Sequence, residues 1–245
     1  MAGRGSRFAV EGYDLPKPLI PINGVPMIRW VIDNLRPQRA HRFTFICLQA
    51  HLDEFPLAYH LRKWAPGCEV IATDGITEGP ACSVLLARKQ IDDSLPLLIA
   101  NCDQYIDADI DDYLGEMDRK NLDGLIMTMT AHDKKWSFVG FDDAGKVNRV
   151  VEKEVISDTA TVGIYNFRHG SAFVAAADDM MKANLRVNNE FYVAPTYNVM
   201  IERGATVGTY SIGSVGHGMY GLGVPSDLKD FLAHPVSQRP RKQVA

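Results

Sequence analysis

No apolar run in this 245-residue chain approaches the roughly 18 residues that a membrane-spanning helix requires. No signal-peptide pattern opens it either. The four cysteines, Cys47, Cys68, Cys82 and Cys102, contain no C-x-x-C pair. Cys47 and Cys102 lie in or beside apolar, strand-like runs, where thiols behave as small core residues, so a reducing, cytoplasmic setting is expected. The seven histidines are scattered without H-E-x-x-H spacing, which argues against a zinc site. There is no basic excess: the net charge is −4 and the isoelectric point near 6.0, against nucleic-acid binding. Two phosphate-loop patterns are also missing. A dinucleotide fingerprint needs a third glycine where Phe8 stands, and no Gly-Lys-Ser/Thr closes a P-loop.

What remains is an ordinary globular composition, 46% hydrophobic, able to build one large α/β domain or two small ones. Residues 27–35 put Ile28, Val31, Ile32 and Leu35 on one apolar helical face. Residues 43–48 predict a strand, 54–64 a helix, 69–72 a short strand, and 80–88 a helix after a polar turn. The unbroken apolar run 95–100 predicts a strand covered on both faces. Further on, 123–130 reads as a strand, 138–141 with 147–152 as a hairpin, and 159–167 as a strand. Helices follow at 171–184 and 192–203, then a strand at 206–212 and a helix at 225–232. This alternation predicts an α/β fold: three layers, with a Rossmann-like, mostly parallel mixed sheet between helices on both faces. With no linker and no repeat, residues 1–233 are expected to form one domain, with a nucleotide half at about 1–122 and an acceptor half at 123–233. Residues 234–245 are expected to be a disordered tail.

The opening stretch carries the first chemistry. Gly3 and Gly5 free the backbone to present N–H groups to an anion, Ser6 follows, and Arg7 adds a planar fork of donors suited to phosphate. Lys17 stands between Pro16 and Pro18, and Gly24-Val25-Pro26 leads into the first clear helix. Each part alone is equally a plain loop. The ordered set G-x-G-S-R-F, P-K-P-L and G-x-P-M-I resembles the signature of the sugar-phosphate nucleotidyltransferases. That resemblance implies that Ala2, Gly3, Gly5, Ser6 and Arg7 hold a nucleoside triphosphate and that Lys17 stabilises charge during transfer.

Three further segments extend it. Thr77-Glu78-Gly79-Pro80-Ala81 is a helix start by spacing; the family has a similar T-x-G-x-A segment on the nucleoside, which points to Glu78, Gly79 and Ala81. Asn101-Cys102-Asp103 follows the apolar strand, where ligand sites of open α/β sheets lie. A carboxylate there suits Mg²⁺, which takes one or two of them plus phosphate oxygens and water. By resemblance Asp103 is the metal ligand and Cys102 lies beside the nucleotide; the plainer alternative is that Asp103 caps the next helix, for which Asp107, Asp109, Asp111 and Asp112 are better placed. Glu152-Lys153 followed by Thr161-Val162-Gly163-Ile164-Tyr165 is similar to the family's acceptor segment, with Lys153 on the acceptor phosphate and Gly163 beside its body. Asn188-Asn189-Glu190-Phe191-Tyr192 resembles, less specifically, a family segment that contacts the acceptor, which points to Asn189 and Glu190.

Two features depart from the family. Gly221 stands where many members carry a second metal-binding Asp, so that one carboxylate suffices, Glu152 or His217 helps, or catalysis is weakened. The family also places an apolar strand directly before the glycine loop, whereas only Met1 and Ala2 precede Gly3. The natural start is therefore expected upstream, Met1 being internal. Taken together, the resemblance implies a Mg²⁺-dependent transfer of a nucleoside monophosphate to a sugar 1-phosphate, or a similar small phosphorylated acceptor, with release of pyrophosphate. Its product would serve nucleotide-sugar and surface-polysaccharide biosynthesis. The catalytic set is Arg7, Lys17, Asp103 and Lys153. No nucleic acid or membrane partner is expected, and a homo-oligomer is left open. Two alternatives stand beside this: a non-catalytic nucleotide- or sugar-phosphate-binding module, and an unrelated α/β transferase.

Overall fold

The computed structural model describes residues 1–3 and 5–239. In chain order, a short helix α1 (Ser6–Val10) precedes the two-residue strands β1 (Pro21–Ile22) and β2 (Val25–Pro26) and helix α2 (Met27–Asn34). Strand β3 (Thr44–Leu48) runs into helices α3 (Gln49–Glu54) and α4 (Leu57–Trp64), then strand β4 (Glu69–Thr73). Helices α5 (Pro80–Leu85) and α6 (Arg88–Ile91) lead to strands β5 (Leu97–Ala100) and β6 (Gln104–Ile106) and helix α7 (Ile110–Arg119). Four strands follow: β7 (Gly124–Thr130), β8 (Ser137–Phe141), β9 (Val147–Glu152) and β10 (Thr159–Phe167). Helices α8 (Gly170–Lys182) and α9 (Thr196–Glu202), strands β11 (Val207–Val215) and β12 (Gly218–Gly221), and helix α10 (Pro225–Ala233) complete the fold. None of the described helices is long and apolar enough to cross a membrane.

The chain divides into two compact units. The first comprises Met1–Ile76, Cys102–Asp111 and Met219–Ala245. Within it β3 and β4 pair in parallel and β6 pairs antiparallel with β12. Its core joins Phe8, Ile20, Ile22, Met27 and Trp30 to Tyr220, Leu222, Leu228, Phe231 and Val236. Helix α2 supplies Met27 and Trp30 to that cluster, and Trp30 also donates its indole N–H to the Ile22 carbonyl at 3.1 Å.

The second unit comprises Thr77–Asn101 and Asp112–Gly218. Its central strand is β10, buried along nearly its whole length because neighbours and helices enclose it. It pairs antiparallel with β7, β5 and β8, while β11 pairs in parallel with β7 and β8 forms a hairpin with β9. The register of β10 shifts between Thr161 and Tyr165, and Gly163 there has φ 78°, the left-handed turn of a bulge. The bulge lets β8 meet the start of β10 and β5 meet its end. Behind the strand, Phe167 stacks on Tyr197 of α9 with centroids 4.6 Å apart.

The α/β fold with a mixed sheet agrees with the sequence reading; parallel pairing occurs at β3–β4 and β7–β11, and antiparallel pairing at β1–β2, β6–β12, β8–β9 and where β10 meets β5, β7 and β8. Several boundaries differ. The helix expected at 54–64 is two, α3 and α4, parted at Phe55 and Pro56, where proline cannot continue a helix. The helix expected at 80–88 is also two, α5 and α6. The helix expected from 192 begins only at Thr196, just after Pro195, which disfavours a helical backbone at the residue before it. The tail does not begin at 234: Pro235–Gln238 forms a 3-10 turn with Val236 buried, and the rest of that expectation, 240–245, lies outside the described residues. Among the described residues no strand precedes the glycine loop; β3 pairs only with β4, and β5 only with β10.

Candidate active site

In the first unit the glycine loop is pinned by Phe8, which sits in the core at 1% exposure while Ser6 and Arg7 stay in solvent. Gly5 has φ 64° and receives the Phe8 N–H at its carbonyl, 3.0 Å away. A Cβ on Gly5 would lie 3.3 Å from the Cβ of Lys17, so the glycine lets the loop pass directly against that lysine. Gly3 is exposed and Ala2 half-buried. Lys17 begins a 3-10 turn whose Pro18 and Leu19 are buried, which holds its backbone.

The Lys17 ammonium donates to Asp103 Oδ2 at 2.7 Å, across 86 residues of sequence. Burial on its own would lower the Lys17 pKa, but the charges of Asp103 and Cys102 and the hydrogen bond to Asp103 outweigh it, against a smaller push from Arg7. The ammonium therefore titrates above its ordinary value. Asp103 is held in turn: its carbonyl accepts from Leu222 N at 2.8 Å, and a Cβ on Gly223 would come within 2.9 Å of its Oδ2. Asp103 is not the cap of α7. Asp109 takes that task, accepting from Asp111 N at 2.8 Å. Beside Gly221 lies another carboxylate, for a Cβ there would fall 2.7 Å from Asp227 Oδ2.

In the second unit the segment Glu78 to Ala81 is bound to the backbone of Phe191. Phe191 N donates to the Glu78 carbonyl at 2.8 Å, and Ala81 N donates to the Phe191 carbonyl at 2.9 Å. Gly79, with φ 131°, makes this approach feasible: a Cβ would stand 2.5 Å from both N and O of Phe191. Arg186 reinforces the contact by pairing with Glu78 and lying 4.1 Å from the Phe191 ring centroid. Asn188 and Asn189 both have positive φ, 48° and 64°, and Val187 and Glu190 exchange two 3.0 Å hydrogen bonds around them. This is the pattern of a two-residue type I′ turn, which asparagine tolerates well. Asn189 is thus the tip of a hairpin.

Glu152 ends β9 and is buried; Ser137, its cross-strand partner, donates a short hydrogen bond to Oε2. Burial raises the Glu152 pKa, opposed by Ser137 and Lys153 and assisted by Glu190. Lys153 has φ 59°, rare for a side chain of this kind. Its N–H reaches the Trp136 carbonyl at 3.0 Å, and its ammonium donates to the Tyr192 hydroxyl at 2.6 Å. Tyr192 donates to Glu190 Oε2 at 2.5 Å. The structure thus brings Glu152, Lys153 and Glu190 into one polar group. Gly163 serves the bulge in β10, its carbonyl accepting from Asn101 N at 3.0 Å.

One group pairs Lys17 directly with Asp103, and the other links Lys153 to Glu190 through the Tyr192 hydroxyl. A family model described as "Nucleotidyl transferase" matches residues 1–195, most of the chain. The chain belongs to that family. No curated protein matches it. Among solved structures, the nucleotidyl transferase is similar to a nucleoside-diphosphate-sugar pyrophosphorylase from Vibrio cholerae, at 24% identity and TM-score 0.80, over 95% of this chain and 97% of that one. A UTP-bound UGPase from Acinetobacter baumannii aligns at 13% identity and TM-score 0.74, over 98% and 92%. An inositol-1-phosphate CTP transferase from T. maritima aligns at 12% and 0.71, over 96% and 94%. At these identities the likeness establishes a shared fold. Sequence reasoning missed Ser137 and Arg186 as parts of the transferase's polar groups, and it placed Tyr192 in the acceptor-like segment without a role for its hydroxyl. Only Tyr192 gave a signal, by standing two residues after Glu190.

Proposed function

We propose that this nucleotidyl transferase moves a nucleoside monophosphate from a nucleoside triphosphate to the phosphate of a sugar 1-phosphate, or of a similar small phosphorylated acceptor. An acceptor phosphate oxygen attacks the α-phosphorus, the bond from that phosphorus to the bridging oxygen breaks, and pyrophosphate leaves with the electron pair. The obstacle is the mutual repulsion of two anions. The observation that carries the reading is the Lys17–Asp103 pair, set against the glycine loop, with Arg7 near enough for its charge to act on Lys17. Arg7, Gly3, Gly5 and Ser6 would hold the triphosphate, Lys17 would face the charge that develops during transfer, and Lys153 with Glu152 would take the acceptor. Glu78, Gly79 and Ala81 would meet the nucleoside.

The donor chemistry suits Mg²⁺, a hard cation content with one or two carboxylates when phosphate oxygens and water complete its shell. Asp103 would hold it, and the Asp227 carboxylate fills the space beside Gly221 that a side chain at that position would otherwise occupy. The ion, when bound, would draw negative charge from the triphosphate oxygens. The product class fits nucleotide-sugar supply, including that for surface polysaccharides.

The test is to incubate the protein with each triphosphate, a panel of sugar phosphates and Mg²⁺, and to measure pyrophosphate. Asp103→Asn, nearly isosteric, should lower turnover by about 10²-fold or more while leaving the thermal transition in place. Turnover within about threefold of wild type would remove Asp103 from the metal role. Binding of substrates without any pyrophosphate would favour a non-catalytic module instead.

A further inference from the structure

We propose that Tyr192 is a positioning residue for Lys153, its hydroxyl holding the ammonium in place while Glu190 holds the hydroxyl. The proposal rests on the reading of Lys153 as the acceptor-phosphate cation and deepens it. An ammonium has donors only, so in the 2.6 Å contact the Tyr192 oxygen must accept. The phenol then has one proton left to give, and the Glu190 carboxylate takes it at 2.5 Å. The order of donors is therefore fixed: Lys153 to Tyr192 to Glu190. Burial, and then the hydrogen bond and charge of Glu190, push the Tyr192 pKa well above its ordinary value, so the phenol stays neutral.

Neutrality is what makes the hydroxyl a suitable anchor. A carboxylate bonded directly to the ammonium would offset its charge and repel an incoming phosphate. A phenol placed between them occupies one N–H of Lys153, leaves two donors for the acceptor, and keeps Glu190 one hydrogen bond away. A lysine otherwise spreads over many rotamers, which a phosphate would have to order on binding. The anchor itself is well supported. Tyr192 directly follows Phe191, whose backbone N and O are both bonded to the Glu78 to Ala81 segment. The left-handed backbone of Lys153, tied to Trp136 through its N–H, fixes the other end.

Tyr192→Phe keeps the ring, which lies 4.8 Å from the ammonium, and removes only the oxygen. With a panel of hexose 1-phosphates in the turnover assay, the variant should raise the acceptor KM about tenfold, the typical weight of a hydrogen bond to a charged group. The triphosphate KM should stay within about twofold. Calorimetry with inorganic phosphate should show a matching loss of affinity. In a Lys153→Ala background the same change should have no further effect, because its action passes through that lysine. An unchanged acceptor KM and phosphate affinity would overturn the proposal, as would a tenfold loss that persists without Lys153. If no substrate pair releases pyrophosphate, the proposed activity fails; the phosphate calorimetry of the single and double variants then decides the positioning role by itself.

Discussion

Glu152 illustrates how burial turns a surface-type residue into a pH-dependent one. Its folded pKa is raised, so the native state holds the carboxyl proton more tightly than the unfolded chain does. That stabilisation is complete below the ordinary glutamate range and disappears as pH rises through the raised folded value. At neutral pH the ionised, buried carboxylate is therefore a burden on the fold. Glu152→Gln, which still offers Ser137 an oxygen, should raise the melting temperature at pH 7, with the gain shrinking towards pH 4; a gain that stayed constant across this range would contradict it. Charge also separates the two cations of the proposed reaction. Lys153→Ala should raise the acceptor KM more than the triphosphate KM, and Arg7→Ala the reverse. Equal effects of both changes on both substrates would dissolve that division of labour.

The Glu78 to Ala81 segment and the Phe191 backbone act as one clamp, and Gly79 is its tightest point. Gly79→Ala would need a Cβ 2.5 Å from two backbone atoms of Phe191, in a φ of 131° that L residues avoid. Something must move, and the expected result is a loss of roughly 2–4 kcal/mol of stability together with weaker binding of both substrates, measurable by denaturant titration and substrate KM values. A variant as stable and active as wild type would show that the clamp yields cheaply. Long elements such as α2, β10 and α8 were legible because periodicity accumulates over their length. Strands β6 and β12, of three and four residues, offer no such period. In the candidate site, Arg7, Lys17, Asp103 and Lys153 could be picked out as residue types in a pattern. Their partners could not, since Tyr192 lies 39 residues from Lys153, and Ser137 lies 15 from Glu152 across a hairpin whose register only the fold defines.

The first unit gathers its core from the two ends of the described chain. Phe8, Ile20, Ile22, Met27 and Trp30 pack on Tyr220, Leu222, Leu228, Phe231 and Val236, while Asn23 donates to the Ser237 carbonyl at 2.9 Å. Removing such side chains singly costs about 2–5 kcal/mol each, so losing five together rivals or exceeds the roughly 5–15 kcal/mol that holds a domain folded. Deleting 219–239 should abolish hydrogen-exchange protection in α2 and β3 while β7 and β10, cored within the second unit, keep much of theirs. Protection that survived in α2 would show that the N-terminal segment folds unaided. The same arrangement has a consequence for how the protein is made. A ribosome adds about 5–20 residues each second, so the first 76 residues emerge and then wait roughly 7–30 s before residues 219 onward exist to cover them. During that interval this segment is finished in sequence yet still soft and sticky, and chaperones that bind emerging polypeptides should find a foothold there.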